Sequence, residues 1–157
     1  MSVLKNNRDE SNMQFLDNMK LLHYFTINYC IEMPKRWDRF LTEDICKLAT
    51  RALVGVKLAN STYPTNQDER QIRKNAFNDA YGSLEAMVTL VDNLYDYCEN
   101  SGNTDFKLNL NKVEKWIDAI SIEMKLIKGV MKKDNERFKK LPDKMSNTAV
   151  VKNESKK

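Results

Sequence analysis

Residues 68–99 read DERQIRKNAFNDAYGSLEAMVTLVDNLYDYCE, and apolar side chains return in them every three or four positions: Ile72, Ala76, Ala80, Leu84, Met87, Val91, Leu94 and Cys98. That period gathers all eight on one stripe of a long α-helix. Three further segments carry the same period. Roughly residues 13–33 place Phe15, Met19, Leu22, Phe25, Tyr29 and Met33 on one stripe. This helix is expected to end at Pro34, which has no N–H to donate and disfavours helix at the preceding residue. Roughly residues 42–60 form a second helix, with Thr42 expected as its N-cap and Glu43 and Asp44 in the first turn. Its stripe of Ile45, Leu48, Ala52, Val56 and Ala59 is small enough for close helix approach. The fourth helix is expected to start near Asn111, where Asn111 and Glu114 have capping-box spacing. It continues through Val113, Ile117, Ile120, Met124, Ile127 and Met131.

Steps of three and four suit helices packed near +20°. The connections are short: a Pro-containing one at 34–41, a polar one at 61–67 and a Gly-containing one at 101–110. The expected fold is therefore all-α, an up-down-up-down four-helix bundle over residues 13–134. Residues 1–12 and the basic tail 135–157 lack the stripe and are expected to be disordered. Composition agrees. With 4 Gly and 3 Pro in 157 residues, a many-stranded β fold lacks the turn breakers it needs. Apolar runs are too short for a membrane span. Three cysteines and no apolar signal segment suit a reduced, cytoplasmic setting.

Little in the chain points to catalysis or to a cofactor. His23 is the only histidine, so the Glu-x-x-His pairs of a di-iron bundle are missing. Asp92, Asp96 and Glu99 share a face but lack a second ligand set. Cys30, Cys46 and Cys98 all fall inside helical stretches, the setting of inert thiols. There is no Gly-rich phosphate loop. A non-catalytic protein with no metal and no cofactor is the expectation.

Charge is more informative. The net charge is only +4, yet residues 35–74 carry nine basic and five acidic side chains, residues 75–111 one and six, and residues 112–157 thirteen and seven. Such segregation suits a polyanion or a charge-complementary protein. Between Met33 and Leu41, Lys35, Arg36 and Arg39 alternate with Trp37 and Phe40. The cations can hold phosphates while an aromatic stacks on a base, or the aromatics can cap the end of the bundle. Lys47, Arg51 and Lys57 lie opposite the core stripe of the second helix. Lys125, Lys128 and Lys132 share a face of the fourth, which also suits its macrodipole. In the third helix Arg70, Arg73 and Lys74 open the helix and Asp92, Asp96 and Glu99 close it, both against the dipole. That conflict suggests something the charges meet: nucleic acid at the basic end, a basic surface of another subunit at the acidic end.

The spacing Pro34, Lys35, Arg39, Leu41, followed by Ile45 and then by Lys74, Ala80, Leu84, Leu90 and Leu94, resembles the four-helix-bundle family of the large-subunit ribosomal RNA intervening-sequence proteins. Within it, residues 13–132 are most similar to the accessory variability determinants (Avd proteins) of diversity-generating retroelements. The resemblance implies a homopentameric barrel that binds a reverse transcriptase and its template RNA and supports mutagenic cDNA synthesis. It makes Lys35, Arg36, Arg39, Lys47, Arg51, Lys57, Arg70, Arg73 and Lys74 the implied contacts. Lys125, Lys128 and Lys132 join them as candidates, and Trp37, Asp92, Asp96 and Glu99 are the candidate subunit or partner interface. Family members often carry Arg or Lys where this chain reads Val91-Asp92-Asn93-Leu94-Tyr95-Asp96. The alternative is an intervening-sequence-type bundle with another nucleic-acid or protein partner.

Overall fold

Pro34 stops the first helix but does not open a loop. A computed structural model describes residues 14–100 and 107–143. Helix α1 spans Gln14–Ile31, and a 3₁₀ turn, Lys35–Trp37, then leads into a π-helical turn, Asp38–Thr42. That turn runs directly into α2, Glu43–Ser61. The Trp37 N–H donates to the Pro34 carbonyl at 2.9 Å, and this tight reversal buries the indole at 4% exposure. Thr42 stands at the expected N-cap position of α2 but does not act as a side-chain cap. Its backbone is already helical, it is buried, and its side chain makes no capping bond.

Helix α3, Gln67–Asn100, is capped by Asn66, whose side-chain oxygen accepts from the Glu69 N–H at 2.9 Å. Glu69 reaches back to the N–H and hydroxyl of Thr65, both at 2.8 Å, closing a capping box displaced by one residue. Helix α4, Leu110–Arg137, starts from Asn109, which accepts from the Lys112 N–H at 3.3 Å. The expected start near Asn111 lies inside the helix. Leu108 and Val113, both buried, occupy the staple positions that fix where the chain enters.

Each helix packs against two others in the cyclic order α1, α2, α3, α4. Cross-helix bonds give the directions. Arg51 pairs with Asp79 while Arg73 reaches Ala59, Thr26 pairs with Trp116 while Glu32 pairs with Lys112, and Arg73 pairs with Asp134 while Tyr81 meets Lys128. Numbers rise on one helix as they fall on its neighbour, so the bundle is up-down-up-down. No strand occurs among the described residues.

Every expected stripe position is buried or half-buried except Ile72, which is 50% exposed. Phe77 fills that level of the core instead, edge-on to Phe15 at 5.6 Å between ring centres. The inward face of α4 is Val113, Trp116, Ile120, Glu123 and Ile127, rotated from the expected stripe toward Trp116. The indole explains the rotation. It is fully buried, donates to the buried Thr26 hydroxyl at 2.9 Å, and packs edge-on against Phe25 and Tyr29. A large ring with a satisfied polar handle contributes about 2–3 kcal/mol through burial and claims the face.

Helices α2 and α3 approach closely at Gly55, where an added Cβ would lie 2.8 Å from the Ala76 carbonyl and 3.1 Å from the Ala80 Cβ. The small stripe of α2 thus does what its composition suggested. At the far end, the chain stays packed beyond residue 134. Phe138 is buried edge-on to Tyr63, and Gln67 donates to the carbonyls of Pro142 and Leu141 at 3.1 and 2.6 Å. The disorder expected for residues 1–12 and for 144–157 concerns segments outside the described residues.

Candidate nucleic-acid interface

Several expected contacts are consumed by the fold. Arg73 is the clearest. Its side chain is 14% exposed, pairs with Asp134 at 2.5 Å, and stacks 5.1 Å from the Phe77 ring centre. It also donates to the carbonyls of Ala59 and Thr62, at the C-terminal end of α2. A cation that opposes the dipole of α3 therefore completes that of α2, whose last turn lies alongside. The acidic end follows the same logic. Asp92, Asp96 and Glu99 are exposed on the last turns of α3, the end of the bundle that also holds the N-termini of α2 and α4. Antiparallel packing puts the positive ends of α2 and α4 at the same end of the bundle as these carboxylates.

On α2, Lys47 pairs with Glu43 at 2.8 Å and Asp44 at 3.5 Å, and Arg51 forms a two-pronged pair with Asp79. Both line an open groove of about 550 Å³ on the outer face of α2, floored by Val54, Gly55, Leu58 and Ala76. Its four charged residues cancel, and Val54 and Leu58 stay 58% and 48% exposed. A net-neutral apolar groove suits a protein surface better than a phosphate backbone. Arg70 donates to Gln67 at 3.2 Å.

Other cations face outward with no carboxylate partner among the described residues: Lys35, Arg39, Lys57, Lys74, Lys125 and Lys132. Lys35, Arg36 and Arg39 cluster on the turn after Pro34, and all three are exposed. The two aromatics of that turn part company. Trp37 is buried edge-on to Tyr97 at 6.0 Å, so it caps the bundle, whereas Phe40 is 81% exposed. Among the described residues no other large apolar side chain stands out as far. The π-helical turn that holds it is a rare geometry, frequently found at functional sites.

The titratable candidates sit in structural settings. His23 shares a hydrogen bond with the Thr50 hydroxyl at 3.1 Å, and burial, then Lys57, hold its imidazole below its usual range. Cys30 is buried, and Cys46 and Cys98 are half-buried. Burial, helped by Glu99, pushes the Cys98 thiol up to about 11, leaving it a poor nucleophile. Among the described residues no three His, Cys, Asp or Glu side chains converge as metal ligands. Nor is any described helix long and apolar enough to cross a membrane.

Glu123 is a residue the charge pattern did not flag. It is 1% exposed on the core face of α4, and neither carboxylate oxygen has a hydrogen-bond partner. Burial raises its pKa to about 8. The signal was available in its spacing, three residues after Ile120 and four before Ile127 on a buried row. No protein-family model, curated protein or solved structure matches the chain.

Proposed function

We propose that the chain is a non-catalytic adaptor that binds single-stranded RNA at the Lys35–Phe40 turn and a protein on the outer groove of α2. Phe40 is the observation that carries this reading: a phenyl ring 81% exposed on a π-helical turn beside Lys35, Arg36 and Arg39. A base can stack on the ring while the cations hold the flanking phosphates, each stacked base contributing about 1–3 kcal/mol. Resemblance to the Avd proteins supplies the partners. These are the template RNA and the reverse transcriptase of a diversity-generating retroelement, in the cytoplasm, with the chain acting as a homo-oligomer, a pentamer in that family. The net-neutral groove of α2 would then hold a neighbouring subunit or the polymerase. Lys47 and Arg51 accordingly serve the protein contact rather than the RNA.

A second reading draws on the exposed Asp92 and Asp96, which stand where the resemblance leads one to expect basic residues, and on Glu99 just beyond them. They favour an intervening-sequence-type bundle with a basic protein partner and no retroelement role. Size-exclusion chromatography with light scattering, run with and without an RNA that carries single-stranded segments, tests the first reading. A closed oligomer near five subunits that moves onto RNA at moderate salt is the expected result. A monomer indifferent to RNA would overturn it.

A further inference from the structure

Helix α4 carries Ser121, Lys125, Lys128 and Lys132 at intervals of four, three and four, which places them on one outward row. Across from this row α3 presents Tyr81, and between the two helices lies a groove of about 250 Å³ lined by Tyr81, Ser121, Met124, Lys125 and Lys128. The Lys128 ammonium sits 4.7 Å from the centre of the Tyr81 ring. Tyr81, and to a smaller extent Glu85 one turn further along α3, raise the pKa of that ammonium. No carboxylate lines the groove itself.

The contrast with the α2 groove identifies the ligand chemistry. There, each lysine or arginine has its own acid; here Lys125, Lys128, Ser121 and Tyr81 line one groove with no acid among the lining residues. Such a set donates hydrogen bonds and positive charge and asks for an oxyanion in return. Size narrows the choice. The groove falls below the ~300–1,000 Å³ of sites that enclose a whole small ligand, so it suits one charged group of a larger molecule or a free ion.

We propose that the α3–α4 groove is a phosphate seat, with Lys125 and Lys128 supplying charge and Ser121 and Tyr81 supplying hydroxyl donors. It deepens the nucleic-acid reading by assigning a backbone contact away from the Phe40 turn, and Lys132 extends the seat by one turn of α4. The phosphate comes from a strand's backbone or from free phosphate, and the two sources are separable by titration.

The test is an amide NMR titration of the full chain, first with inorganic phosphate and then with a twelve-nucleotide oligouridylate. Three proteins are compared: the parent chain, the double variant Lys125→Gln/Lys128→Gln, and Tyr81→Phe, which keeps the ring and removes the hydroxyl. Glutamine preserves helix propensity at exposed positions, so the double variant should keep its circular dichroism and melting point. Inorganic phosphate should shift the amides of Ser121, Lys125 and Lys128 in the parent, less in Tyr81→Phe, and not in the double variant. With oligouridylate, the double variant should flatten the log–log salt dependence by about 1.4, two contacts at ~0.7 each. Shifts with inorganic phosphate alone would support the seat and assign it to free phosphate. Absence of groove shifts with both ligands would overturn it, as would shifts that the double variant retains. If the parent binds no oligouridylate at any salt, the RNA-adaptor reading fails, while the phosphate titration still decides the seat.

Discussion

The two ends of the bundle treat their cations in opposite ways. Where α2 ends and α3 begins, Arg73 is folded inward against Asp134 and the carbonyls of Ala59 and Thr62, and Arg137 donates to the Tyr63 hydroxyl at 2.9 Å. At the other end, the turn after Pro34 buries its indole and leaves Lys35, Arg39 and Phe40 facing solvent. The same residue type is structural at one end and available at the other. Charge that opposes a helix's own dipole is therefore weak evidence for a partner when another helix end lies within reach. What separates the two roles is whether the fold already supplies the counter-charge and the acceptors.

Replacing Arg73 with Met should break this contrast most severely. It leaves Asp134 nearly buried without its cation and the Ala59 carbonyl without its donor. Leaving these part-buried acceptors unsatisfied should cost about 1–3 kcal/mol, to be read from urea unfolding. A destabilisation below ~1 kcal/mol would show that the closed end is not held together by Arg73.

Glu123 lies between the ends and lacks what Arg73 has. Its pKa is near 4.5 when unfolded and about 8 when folded, so between those values the folded chain holds a proton the unfolded chain has released. Stability should therefore be greatest below about pH 4.5 so far as this group is concerned. It should fall by up to ~1.4 kcal/mol per pH unit toward pH 8 and level off above. Glu123→Gln should abolish that slope in denaturant titrations at pH 5, 6.5 and 8. The same slope in the variant would assign the pH dependence elsewhere.

Gly55→Ala tests the seam between the helices. The added methyl meets the Ala76 carbonyl, so overpacking should cost about 1–3 kcal/mol. An unchanged melting point would mean that α2 and α3 can slide apart without penalty.

Phe40→Ser gives the smallest effect on stability and the sharpest on function. An exposed side chain should change stability by less than ~0.5 kcal/mol. Affinity for single-stranded RNA should fall on the order of tenfold as the stacking platform is removed. Arg36→Ala with Arg39→Ala should flatten the salt slope by about 0.7 for each phosphate that the pair neutralises. Loss of RNA binding together with loss of fold would make Phe40 structural and erase the difference between the ends.

The helices, their order and most of their inward faces were legible in the sequence, because a stripe repeating at 3.6 residues can be buried in few other ways. Phe15, Ala52, Leu84 and Ile120 lie where their period puts them. The cap residues were less legible, since Asn109 and Asn111 both suit a helix start and only the buried Leu108 and Val113 separate them. Among the site residues, the turn after Pro34 was legible as basic and aromatic, but not that Trp37 turns in and Phe40 out. Tertiary packing alone settled this, together with the inward role of Arg73, the isolation of Glu123 and the meeting of Tyr81 with Lys128. Periodicity is a property of one helix and survives in the one-dimensional order of residues. A charge's counterpart or a ring's exposure depends on which other helix lies alongside and in which direction it runs, and only the assembled bundle fixes that.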